Sequence, residues 1–171
     1  LSMVDTPYVW ELNIWYHILN CGFRTRVSGE TDFPCIYGER VGLGRSYVKL
    51  DNKLNYNDWC EGIRLGRNYV GDGRSHIIDF RVDHVEMGTK NSELHISKPG
   101  TVLTKAKVAA LLKTQPIPGI AKRNYAEKPY WHIERARIEN TRKVPVEVIV
   151  NGYPIAKKEI IANGELQDIA F

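Results

Sequence analysis

Apolar positions between residues 8 and 21 recur at helical spacing. Trp10, Ile14, Ile18 and Cys21 fall on one stripe, and Leu12, Trp15 and Leu19 widen it. Thr6 is placed to cap this helix, Pro7 suits its first turn, and Gly22 is placed to end it. Thr25 to Ser28 then reads as a short strand that delivers the chain to Gly29-Glu30-Thr31-Asp32. A loop spaced by Gly38, Gly42 and Gly44 precedes a second strand, Ser46 to Leu50. Asn55 or Asn57 caps a short helix through Trp59 and Ile63, which Gly66 closes.

Beyond residue 75 the period changes from helical to alternating. His76 to Val82 sets Ile77, Asp79 and Arg81 on one side and Ile78, Phe80 and Val82 on the other. Leu94 to Ile96, Thr101 to Leu111, Trp131 to Ile138, Val144 to Val150 and Ile155 to Ile161 continue the strand signals. Asn151-Gly152 joins two such runs and marks a hairpin, because both turn positions tolerate positive φ; Asn163-Gly164 repeats it. Strands so spaced predict an antiparallel β-sandwich. Lys113 to Pro129, with three prolines and few strand formers, reads as a long loop. A further strand is under way at Ile169-Ala170-Phe171, and both ends of the chain read as cut.

Composition narrows the class. Hydrophobic residues make up 43% and charged ones 26%, which suits a folded globular chain rather than a disordered one. The net charge is +4, but the basic residues are scattered in pairs such as Arg24 with Arg26 and Arg135 with Arg137. That spread argues against a nucleic-acid face. No apolar run approaches the roughly 18 residues of a membrane span. Cys21, Cys35 and Cys60 form no CxxC pair and are odd in number, so reduced thiols in the cytoplasm are the simpler reading. A periplasmic or secreted location would require a signal peptide upstream.

The candidate chemistry is concentrated in a few positions. A carboxylate after a short strand, in a glycine-flanked turn, is how α/β barrels present metal ligands, and Asp32 stands in such a turn with Glu30 beside it. The structural alternative is that Asp32 bonds turn amides. His17, His76, His84, His95 and His132 show no metal-ligand spacing, and His17 lies on the first helix near its apolar side. Ser28-Gly29 is not a nucleophile elbow, and Cys35 lacks a sequence-local base. The stretch Gly66 to Arg74 reads as a crossover between the two parts, or as a rim segment in which Arg67 or Asp72 faces an anionic substrate or a metal shell.

Three pieces in order carry a resemblance: Trp15 to Arg24, then Gly29-Glu30-Thr31-Asp32, then Gly66-Arg67-Asn68-Tyr69-Val70. Together they resemble the CehA/McbA group of PHP-type metallohydrolases, over residues 10 to about 82, and Val146 to Gly152 looks like a strand and turn of that group's β-rich region. The resemblance implies an α+β chain: the C-terminal end of a distorted, TIM-like α/β (PHP) barrel over residues 1–75, then an antiparallel β-sandwich over 76–171. It implies Asp32 as a metal ligand, with Glu30, Cys35, Arg67, Asp72 and His17 as surrounding or substrate-contacting candidates. It implies a divalent ion (zinc, manganese or iron) that activates water for ester, amide or phosphoester cleavage. The group's turn often carries a histidine two residues after the aspartate, where this chain has Pro34, and its other His-rich ligands are expected in an upstream barrel segment. This segment alone is therefore expected to be inactive and to hold no metal tightly. The expected ligand is a small molecule or glycan, with no membrane or nucleic-acid partner. The alternative expectation is a β-sandwich module that binds carbohydrate or protein without catalysis, or that seals the barrel structurally.

Overall fold

A computed structural model describes residues 1–3, 8–35, 41–89, 92–124 and 137–171. The chain is α+β, with short, mostly antiparallel sheets; among the described residues no barrel closes. It opens with a βαβ unit: β1 (Ser2–Met3), α1 (Tyr8–Asn20) and β2 (Ser28–Gly29). β1 and β2 pair in parallel, Ser2 opposite Ser28 and Met3 opposite Gly29. A parallel pair needs a crossover of this kind, because no tight turn can reverse the chain back to the same direction.

Helix α1 ends as the sequence predicts. Gly22, at φ 88°, donates to the Leu19 carbonyl at 2.9 Å and Phe23 donates to Ile18 at 3.2 Å, a left-handed cap that glycine adopts without steric cost. The buried side of α1 is only part of the predicted one. Glu11 is buried and Leu12, Trp15 and Ile18 are partly covered, while Trp10 and Ile14 stay 55% and 51% exposed. Apolar residues run almost all the way round this helix, so periodicity alone does not select a side. On the covered side the Trp15 indole donates to the Thr25 carbonyl at 3.0 Å. The expected caps Thr6 and Pro7 lie outside the described residues.

The middle of the chain forms a ribbon and a helix. β3 (Arg45–Val48) and β4 (Asn68–Gly71) pair antiparallel around α2 (Tyr56–Leu65). Of the two asparagines that could cap α2, Asn55 does so: its side chain accepts from the Asp58 amide at 2.9 Å. Gly66 closes the helix at φ 78°. The stretch from Gly66 to Arg74 is thus more than a crossover, since Asn68 to Gly71 supplies a strand.

The back half holds the core. β5 (Ser75–Val82), β6 (Val85–Glu86), β7 (Thr104–Ala110) and β10 (Gln167–Ala170) form one antiparallel sheet in the order β10-β7-β5-β6. β8 (Lys143–Val150) and β9 (Tyr153–Ile161) form a hairpin across Asn151-Gly152, both at positive φ as the sequence predicts. The hairpin lies against the sheet. Val108 and Ala110 of β7 meet Ile160 of β9 and the adjoining Ala162, with Val144, Val146 and Ile169 packed around them. Val108 is 1% exposed and anchors this layer.

Three expected strands differ, the first being Thr25 to Ser28, of which only Ser28 is in a strand. Leu94 to Ile96 forms no strand, and Ser92 just before it turns back to accept from Thr89 and donate to Glu86. Most of Trp131 to Ile138 lies outside the described residues, and Arg137 and Ile138 are not in a strand. Part of the expected Lys113 to Pro129 loop has order of its own, a single 3-10 turn over Ile120–Lys122 that buries Ile120.

Candidate functional site

The turn past β2 is assembled from backbone contacts. The Glu30 amide donates to the Met3 carbonyl at 3.0 Å, extending the parallel pairing by one bond. The next side chain, Thr31, is buried, and its hydroxyl oxygen accepts from the Leu43 and Gly44 amides at 3.0 and 3.3 Å. Gly44 runs so close to Glu30 that any Cβ there would meet the Glu30 carbonyl oxygen. Asp32 follows in the left-handed region, φ 50°, a conformation aspartate tolerates better than most residues. Its side chain is exposed, as is that of Glu30. The geometry therefore places a carboxylate just beyond the carboxyl end of a parallel strand and faces it to solvent.

The other sequence candidates lie elsewhere. Cys35 is exposed as a free thiol. His17 is on the exposed side of α1. Arg67 is held on the β3–β4 ribbon by Asp51, its two terminal nitrogens 2.9 and 3.1 Å from the two carboxylate oxygens. That pair keeps Asp51 below the usual carboxylate range and Arg67 above its own. Asp72 is buried and accepts from the Arg74 amide at 2.8 Å and the Ser75 hydroxyl at 3.2 Å, so it shapes the turn between β4 and β5. No described hydrogen bond or ion pair joins any two of these candidates.

Among the described residues no three His, Cys, Asp or Glu side chains converge to hold an ion. Structural and catalytic ions alike take about three or four protein ligands, and Asp32 offers one. The described residues do not by themselves fit a divalent metal.

No family model, curated protein or solved structure matches this chain. None of the described helices is long and apolar enough to cross a membrane.

Sequence reasoning missed a second cluster. Tyr47 and Tyr69 stand opposite each other on β3 and β4 with rings stacked, centroids 4.8 Å apart and planes 10° from parallel. The Tyr69 hydroxyl lies 2.7 Å from Nδ1 of His76, whose ring meets Tyr47 edge-on at 5.0 Å. Burial, and then the neighbouring Tyr47, push the Tyr69 phenol up to about 12. Nearby, Lys49 bridges Glu86 at 2.6 Å and Asp79 at 3.2 Å, contacts that hold its ammonium above the ordinary lysine range. The signal was available in Tyr47-Val48-Lys49 and Arg67-Asn68-Tyr69, two alternating runs with the same aromatic and basic pattern. It becomes visible once the two are recognised as paired strands.

Proposed function

We propose that this chain is the closing segment of a PHP-like metal-dependent hydrolase, and that Asp32 is the ligand it lends to a divalent ion. The observation that supports this best is the parallel β1–α1–β2 unit with Asp32 in the turn past the carboxyl end of β2; its exposure does not add to that support. In parallel α/β architectures, ligands and reacting groups gather at the carboxyl ends of the strands. The outward Trp10 and Ile14 of α1 suit a helix that further protein covers. The remaining ligands would come from an upstream barrel segment of the same protein. This chain's own part is to hold one carboxylate in position through the buried Thr31 and the close Gly44–Glu30 approach. The two-layered β packing of the back half would then be the accessory β-sandwich. The substrate class is a small molecule cleaved at an ester, amide or phosphoester bond.

The test uses the intact gene product that carries this segment. Asp32→Asn keeps the side-chain shape and tolerates the same backbone region. It is expected to lower bound zinc, manganese or iron, read by elemental analysis, together with hydrolysis of model esters and phosphodiesters, at unchanged melting temperature. A variant with undiminished metal content and activity would overturn the assignment.

A further inference from the structure

The β3–β4 ribbon has two unlike faces. Val48 packs toward Gly62 of α2, and Asn68, paired opposite Val48, is buried on that same side. Side chains alternate along a strand, so the other face carries Tyr47 and Tyr69, flanked by Lys49 and Arg67. This second face looks onto β5 and β6 across a cleft of about 380 Å³. The cleft is lined by the two tyrosines, Phe80 and Met87, and by Lys49, Asp79 and Glu86.

The strand opposite is shaped to fit. β5 carries a register shift between Ile78 and Arg81, and within it Asp79 sits at φ 52°. Bulges of this kind re-aim a side chain out of its regular alternation. Here the Asp79 carboxylate meets the Lys49 ammonium that Glu86 also engages.

We propose that this cleft binds one ring of a neutral saccharide, with a pyranose C–H face against a tyrosine and hydroxyls bonded to Lys49, Asp79 and Glu86. Its volume lies in the lower part of the range of small-ligand pockets, about 300–1,000 Å³, and it combines apolar walls with a few converging polar groups. The electron-rich face of a phenol ring attracts the weakly positive C–H groups of a sugar. Charge decides against an anion. Lys49 is shared by Asp79 and Glu86, Glu86 is also met by Arg81, and Arg67 is held by Asp51, so among the described residues no cation of the cluster is left unneutralised. Hydrogen-bonding capacity remains nonetheless. An ammonium has three donors, of which Lys49 uses two here, and each carboxylate keeps free lone pairs. Ionised groups bond hydroxyls more strongly than neutral ones. The cleft draws on both the ribbon and the back-half sheet, so it is not a property of residues 76–171 alone, and it does not depend on Asp32.

The whole 171-residue chain can be tested by saturation-transfer NMR, with neutral glucose, mannose and xylose oligosaccharides as probes and an oligouronate as the charged control. Transfer to ring C–H protons of at least one neutral probe is expected. A roughly tenfold loss of affinity, about 1.4 kcal/mol, is expected both in Tyr69→Ala and in the shape-conserving Glu86→Gln. Circular dichroism shows whether each variant is folded, and Glu86→Gln keeps the test decisive if Tyr69→Ala is not. No transfer to any neutral probe, tighter binding of the oligouronate, or binding undiminished in folded Glu86→Gln would each overturn the proposal.

Discussion

Asn68 of β4 donates its side-chain amide to the Val27 carbonyl oxygen at 2.7 Å, joining the β3–β4 ribbon to the chain that enters β2. Two small sheets, neither stable alone, are thereby tied into one body. The bond is shielded, since Asn68 is itself buried. Asn68→Ala would leave the Val27 carbonyl unpaired, at a cost of about 1–3 kcal/mol. Urea unfolding measures this directly. A change within error of zero would show that water or another donor takes over the carbonyl.

Thr31 makes a second such junction, one residue before the candidate ligand. Thr31→Val conserves volume but removes the acceptor for two backbone amides, Leu43 and Gly44. Loss of about 1–3 kcal/mol is expected from the stranded donors. Amide hydrogen exchange at residues 43 and 44 should speed up more than exchange in β7. Uniform acceleration across the chain would instead mean that the turn has no local role.

Tyr69 makes stability fall with rising pH. Its folded pKa is about 12 against an ordinary 10.0, so between those values the unfolded chain has lost a proton that the folded chain keeps. The contribution is fully present below pH 10.0 and is lost progressively as pH climbs toward about 12. Unfolding monitored across that alkaline window should show a steeper decline in the native chain than in Tyr69→Phe. Equal slopes would show that the phenol ionises as freely folded as unfolded.

Much of the fold was legible where local chemistry is decisive. Gly22 and Gly66 end their helices, Asn55 begins one, and Asn151-Gly152 turns a hairpin, because each needs only its immediate neighbours. What the alternation hid was tertiary. The apolar residues of α1 surround it, so the buried side is set by tertiary contacts such as the Trp15–Thr25 bond and not by periodicity. β4 follows the glycine that closes α2 and reads as part of a crossover, and Leu94 to Ile96 alternates yet has no partner strand among the described residues. The Asp32 turn was found from its glycine and strand context, whereas the tyrosine cleft depends on a strand register and a bulge that spacing does not encode.

The sheet order bears on how the chain is made. β7 lies between β5, which precedes it, and β10, which follows the whole β8–β9 hairpin. During synthesis β7 finds one neighbour almost at once, while its other edge waits until Gln167 to Ala170 has left the ribosome. In that interval a strand ending in Val108, Ala109 and Ala110 presents open backbone groups to any passing chain. The reciprocal bonds between Thr104 and Phe171, 2.8 Å each way, are formed only after that wait is over. The outer edge of β7 is thus covered only once β10 has been made.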